Sequence, residues 1–273
     1  MILLQAAAAA PTATSSDLSV FHALVLGIVE GLTEFLPVSS TAHLDLARHA
    51  LGLPSTDYIK SFEVIIQLGA ILSVVVLYWT KIWNRDLFLK LVAAFIPTGI
   101  LGFTLYDVIK GRLLGNMGVT LAALVLGGIA LIIFERVHRA NDADVDFSEI
   151  TYKRAVAIGL FQSVAMIPGV SRSAATIVGG SMIGVPKRTI VEFSFILAIP
   201  TMMAATVLDL YENYEILSGN FPALAVGFVI SFITAIVAIK SFLAFVKKKA
   251  FSAFGIYRIV LAIAFWFFFV RSS

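Results

Sequence analysis

Apolar runs of membrane-crossing length recur along the chain, over residues 62–79, 87–109, 117–134, 190–209, 221–239 and 251–270. A helix rises 1.5 Å per residue, so about 20 such residues cross the ~30 Å hydrocarbon core of a bilayer, and the pattern predicts six spanning helices. Two further apolar segments, about 18–50 and about 153–185, depart from it. Each is interrupted by a proline, Pro37 or Pro168, and together they carry nearly all the polar residues found at membrane depth. Irregular backbone at that depth is tolerated only where it is buried in protein or lines a wet cavity.

The two irregular segments are related to each other. Sliding the sequence on itself by 132 residues brings Gly27 onto Gly159, Glu30 onto Gln162, Ser39 onto Ser171 and Thr41 onto Ser173, and Gly52 and Pro54 onto Gly184 and Pro186, without a gap. Glycine, serine and Gly-x-Pro matches are not what apolar composition alone produces, so the register predicts a duplication. Half 1 covers about 18–140 and half 2 about 150–273, both within a single membrane domain, 18–273. Residues 1–17, an alanine run with Pro11 and no positively charged start, are expected to form a tail.

Basic residues decide how the broken segments sit. If both are re-entrant, each half has three spans, an odd number, and the halves are inverted. Twelve Lys and Arg then fall on one face and five on the other, leaving Lys90, Arg172 and Arg258 at depth; if both segments span, the split weakens to ten against seven. The positive-inside rule therefore predicts six transmembrane helices plus two re-entrant helix pairs in an inverted-topology repeat, with both termini on the non-cytoplasmic side.

Composition agrees: 59% of the 273 residues are hydrophobic and 14% charged, against about 25% charged in an ordinary soluble domain. The absence of cysteine excludes disulfides, thiolate chemistry and cysteine-held metals. A net charge of +3 follows from basic loops on one membrane face and is no argument for nucleic acid.

The reactive groups sit at the breaks. Glu30 and Glu34, at i and i+4, share a helix face, Pro37 is expected to end that helix, and Ser39, Ser40, Thr41 and His43 follow. A charged side chain at bilayer depth costs about 2.5–3.5 kcal/mol on insertion scales, so the carboxylates must face protein, water or a cation. The pair suits a hard ion, Mg²⁺ or Ca²⁺, completed by substrate phosphate oxygens, and His43 is positioned in sequence to act on Ser40 or on a leaving oxygen. The second break carries Pro168, Gly169, Ser171, Arg172, Ser173 and Thr176, a guanidinium fork among hydroxyls that matches phosphate. The bland alternatives are that the hydroxyls pack helices and that Arg172 pairs with a glutamate.

On these motifs the chain resembles the BacA-type undecaprenyl pyrophosphate phosphatases of bacterial inner membranes. The Glu30-to-His43 run and the Pro168-to-Thr176 run match two long signatures in the right order, and similarity extends through Phe62, Glu63, Gln67 and Gly69 and through Glu192 to Pro200. Ala42 departs from the family's usual glycine, and its methyl group is expected to restrict the backbone there. The resemblance implies hydrolysis of a polyprenyl pyrophosphate to the monophosphate, recycling a lipid carrier for the cell wall. It implies Ser40 as nucleophile, Glu34 and His43 as its catalytic partners, and Glu30 with Glu34 at a divalent cation. Ser39, Thr41, Ser171, Arg172, Ser173 and Thr176 would then hold the pyrophosphate. The implied partners are the polyprenyl lipid and membrane lipids, and a homodimer stays open.

Two rivals stand beside this reading. Inverted repeats with broken helices also build transporters, so a lipid-phosphate carrier or flippase needs no nucleophile. The membrane phosphatases that use a histidine nucleophile need a histidine after their Ser-Arg motif, and this chain's four, at 22, 43, 49 and 138, all precede Arg172.

Overall fold

The computed structural model describes residues 18–138, 146–213, 220–246 and 251–271, so the expected tail over 1–17 lies outside the described residues. Ten helices of eleven residues or more carry the architecture: α1 (Val20–Thr33), α2 (Ser40–Ala50), α3 (Asp57–Leu77), α4 (Arg85–Thr104), α5 (Met117–Val137), α6 (Tyr152–Ser163), α7 (Arg172–Met182), α8 (Lys187–Asn213), α9 (Phe221–Val246) and α10 (Ser252–Phe265). Six of these, α3, α4, α5, α8, α9 and α10 with its continuation to Val270, are long and apolar enough to cross a membrane. The protein is an all-α, multi-pass membrane protein.

Helix ends follow capping more closely than hydropathy. α3 starts five residues before its apolar run because Thr56 accepts from the Ile59 N–H and Asp57 stands in the first turn, both polar devices that a hydropathy scan passes over. Asn84 and Asn116 cap α4 and α5 in the same way. The prolines of the breaks do not themselves end the helices. α1 stops at Thr33 and α6 at Ser163, so Pro37 and Pro168 lie inside the turns that follow.

At 14 and 11 residues, α1 and α2 are about 21 and 16 Å long, too short to cross a bilayer singly; α6 and α7 are shorter or equal. The starts of α1 and α6, and both ends of α2 and α7, are separated by 132 residues. The 132-residue register read in the sequence thus recurs in the helix boundaries of the two broken segments. Among the described residues two non-glycine residues have positive φ, Ser39 (74°) and Ser171 (48°), again 132 apart.

The halves interlock. α1 packs on α9, where Gly27 and Gly227 let the two backbones touch, and α6 packs on α4, where Gly159 lies against the Ala94 backbone. α3 meets α8 and α5 meets α10 across the middle. Each half's first helix is therefore buried by a span of the other half, and both breaks come to the centre.

Candidate active site

The first break is built from Glu34 to Ser39. Glu34 ends α1, its N–H bonded to the Glu30 carbonyl, and the i, i+4 spacing leaves both carboxylates buried, at 0% and 5% exposure. Phe35 is wholly buried, and the chain then reverses so that Ser39, in the left-handed region, leads into α2. A serine at such a φ costs about 1–3 kcal/mol, a strain that persists only where the surroundings enforce it. In the second break Gly169 (φ 93°) and Ser171 repeat the reversal, and the Ser171 hydroxyl caps α7 by accepting from the Ala174 N–H at 3.1 Å.

The two breaks face one cavity of about 210 Å³, lined by Glu34, Ser39, Ser40, Thr41, Ser171 and Arg172 among others. The N-termini of α2 and α7 both border it, bringing first-turn N–H groups and the positive ends of two helix dipoles to one place. Glu34 joins the halves. Its Oε2 accepts a hydrogen bond from the Ser40 hydroxyl, and its Oε1 takes the Arg172 Nη2 at 2.8 Å. Arg172 is fixed further by donating Nη1 to the Ser194 carbonyl at 2.7 Å and by lying 5.7 Å from the centre of the Phe35 ring; its Nε is buried without a partner.

The expected pairing of Ser40 with His43 is not what the geometry offers. The Ser40 proton is directed at Glu34. His43 donates from Nδ1 to the Ser39 carbonyl at 2.7 Å, which makes Nε2 the acceptor for the Tyr257 hydroxyl at 2.8 Å, and the two rings stack 5.5 Å apart. The His43 ring reaches back one turn to the Ser39 carbonyl, so it secures the strained Ser39 peptide.

Ser173 and Thr176 also fall outside the cavity. Both are at 0% exposure; Ser173 donates to the Phe35 carbonyl at 2.9 Å, and Thr176 bonds the Ser194 hydroxyl at 2.6 Å. They stitch α7 to the first break and to α8. The helix turns about 100° per residue, so the residue after Arg172 points into protein. Ala42 likewise imposes no loop constraint: it is helical, and its methyl is buried with Leu46, Leu121, Leu124 and Ala262.

Glu30 and Glu34 are the residues that would hold a cation. Both carboxylate oxygens of Glu30 are buried and find no hydrogen-bond donor, beside a second carboxylate. Among the described residues no three Asp, Glu or His gather, so such an ion would take two carboxylates and fill its shell with water or phosphate oxygens, as Mg²⁺ commonly does.

Three contributors escaped sequence reasoning: Tyr257, Ser194 and Gln162. Gln162 lines the cavity and donates to the Thr98 and Thr201 hydroxyls at 3.0 and 3.3 Å. Its alignment on Glu30 is the signal that could have found it, and for Ser194 the signal is the Glu192-to-Pro200 stretch that resembles the family; Tyr257 lies on an ordinary span and carried none.

The family model described as Bacitracin resistance protein BacA matches residues 23–264. A protein of Wolinella succinogenes named undecaprenyl-diphosphatase is 51% identical over 255 residues, covering 92% of this chain and 98% of that protein. Proteins of the same name from Aquifex aeolicus and Persephonella marina are 48% and 50% identical, each across 92% of this chain and 98% and 99% of their own lengths.

Proposed function

The chain belongs to the BacA family, and from its site we infer that it hydrolyses undecaprenyl pyrophosphate to undecaprenyl phosphate and inorganic phosphate, recycling the lipid carrier for cell-wall synthesis. The observation that carries the mechanism is the Glu34 carboxylate, shared between the Ser40 hydroxyl and the Arg172 guanidinium.

Phosphoryl transfer asks mainly for positioning and charge neutralisation. The terminal phosphate enters the cavity against Arg172 and the N–H groups that begin α2 and α7, with Ser39, Thr41 and Ser171 adding hydroxyls. Ser40 Oγ attacks phosphorus, its proton passes to Glu34, and the bond to the bridging oxygen breaks to release undecaprenyl phosphate. Glu34 gives that proton to the departing undecaprenyl phosphate; water then attacks the phosphoserine, Glu34 takes a proton from it and passes it to Ser40 Oγ as the bond to phosphorus breaks, so phosphate leaves and Ser40 is restored. Arg172, released from Glu34 as that carboxylate gains its proton, is free for the phosphate oxygens. His43, held by Tyr257, keeps the Ser39 peptide in its strained form. Glu30 with Glu34 would hold Mg²⁺ or Ca²⁺, which when bound offsets phosphate charge.

The short helix pairs α1–α2 and α6–α7 are re-entrant in this reading and the halves inverted, supported by their lengths and by the unequal basic residues of the two faces. The protein then sits in the bacterial inner membrane with both termini on the non-cytoplasmic side. A flippase on the same scaffold is not favoured, because it gives no reason for a serine hydroxyl bonded to a buried carboxylate.

The test is phosphate release from a polyprenyl pyrophosphate by the purified protein in detergent. Wild type should release phosphate and Ser40→Ala should not. Release that survives in Ser40→Ala would remove the serine mechanism, and none from folded wild type would remove the phosphatase.

A further inference from the structure

Arg258, on α10, is the largest wholly buried side chain among the described residues, at 0% exposure and with no ion-pair partner among them. Burying a guanidinium is tolerable only if its donors are satisfied. Here four of the five are met by backbone carbonyls: Nε donates to Leu124 at 3.3 Å, Nη2 to Ala123 at 3.0 Å and to Gly169 at 2.8 Å, and Nη1 to Pro37 at 3.3 Å. Two of these belong to α5, and the others are the two breaks.

The choice of carbonyls is specific. Pro37 and Gly169 are 132 residues apart, so they are equivalent positions of the repeat, and each stands three residues before the first residue of its helix, Ser40 in α2 and Arg172 in α7. One guanidinium thus ties matching points of the two halves. Space for it is made by Gly127 on α5, where an added Cβ would fall on the guanidinium, 2.8 Å from its central carbon.

We propose that Arg258 is a positioning residue for the hydrolysis: by clamping Pro37 to Gly169 it sets the separation of Ser40 from Arg172, and Gly127 is the seat that lets it do so. The proposal rests on the phosphatase reading above. Arg258 does not line the cavity, so its loss leaves the groups that bind the phosphate in place while their alignment loosens. Misplacement by about 1 Å costs on the order of 10²-fold in rate.

The test compares Gly127→Ala, Arg258→Lys, Arg258→Met and the double variant Gly127→Ala/Arg258→Met of the full chain in detergent, with farnesyl pyrophosphate as probe. Gly127→Ala and Arg258→Lys should lose on the order of 10²-fold in kcat with KM within about threefold of wild type. The double variant should be no slower than Arg258→Met, because the alanine acts only by displacing a guanidinium that is already gone. A structural readout runs beside it. The chain has no cysteine, so nitroxides on cysteines at Leu36 and Ile167, one in each break, report their separation, which should lengthen or broaden in Gly127→Ala. Wild-type kcat in folded Gly127→Ala and Arg258→Lys, a rise in KM alone, an additive double variant or an unchanged nitroxide separation would each overturn the clamp. If Arg258→Met fails to fold, Gly127→Ala decides, since it keeps the guanidinium intact. If wild type releases no phosphate the phosphatase reading falls, and the nitroxide separation still tests the clamp.

Discussion

Ser40 and Arg172 occupy equivalent positions of the two repeats, each the first residue of its helix, and both are bonded to the carboxylate of Glu34. One matched position carries a serine in the first half and an arginine in the second, the nucleophile and the phosphate ligand of the proposed reaction. The carboxylate between them restrains both until substrate arrives.

Removing one end of that arrangement or its middle should have different consequences. Ser40→Ala is expected to abolish phosphate release while costing about 1 kcal/mol in stability, since only one hydrogen bond is lost. Glu34→Gln should lower kcat by about 10²–10⁴-fold, the usual worth of a general base. It should also destabilise the fold by about 1–3 kcal/mol, because the part-buried Arg172 loses its counter-charge. Phosphate release and thermal unfolding of both variants in detergent separate the two effects.

His43 should act as a support. Tyr257→Phe removes one hydrogen bond to it and is expected to reduce kcat less than about tenfold, with about 1 kcal/mol lost in stability. His43→Gln should keep measurable turnover under conditions where Glu34→Gln shows none. Equal loss in both glutamine variants would return His43 to the role of base.

Divalent cation should stabilise the protein through Glu30. Binding at 100 times Kd contributes about 2.7 kcal/mol, so Tm should rise with Mg²⁺ in wild type and stay level in Glu30→Gln. Chelator should stop phosphate release from wild type, and added Mg²⁺ should restore it. A Tm that ignores Mg²⁺ in both proteins would leave Glu30 with no metal to hold.

Two buried positions next to the site should affect stability alone. Ala42→Gly exchanges a packed helical methyl for a flexible residue and should cost about 1 kcal/mol with kcat unchanged. Ser173→Ala strands the Phe35 carbonyl, an expected cost of about 1–3 kcal/mol, with KM close to wild type. A KM raised tenfold or more in Ser173→Ala would place its hydroxyl on the substrate.

Much of the molecule was legible in one dimension. Six spans follow from hydropathy because lipid leaves a helix no alternative for its backbone polar groups, and all six runs sit on the helices observed. The matched glycines and serines of the two broken segments disclosed the duplication, since a turn that needs a left-handed φ constrains residue type locally; Gly52 and Gly184, at φ 70° and 85°, show that constraint directly. Glu30, Glu34 and Arg172 stood out because charge at membrane depth has a cost that the surrounding sequence makes visible.

What only the tertiary structure decided is which side chain faces which. Spacing put His43 nearer to Ser40 than Glu34 is, and it could not say that Glu34 accepts the Ser40 proton while His43 is held by the Ser39 carbonyl and Tyr257. Ser173 and Thr176 belong to the same motif as Arg172, yet their hydroxyls are taken by the Phe35 carbonyl and by Ser194 inside the protein. Tyr257 and Arg258 are separated from the residues they hold by more than 200 positions in the case of His43 and Pro37, and although Arg258 shows in the sequence as a charge at depth, nothing local says what either residue holds. A hydropathy pattern records how each segment meets lipid; contacts between segments arise only when the two halves close around each other, which is where this site is made.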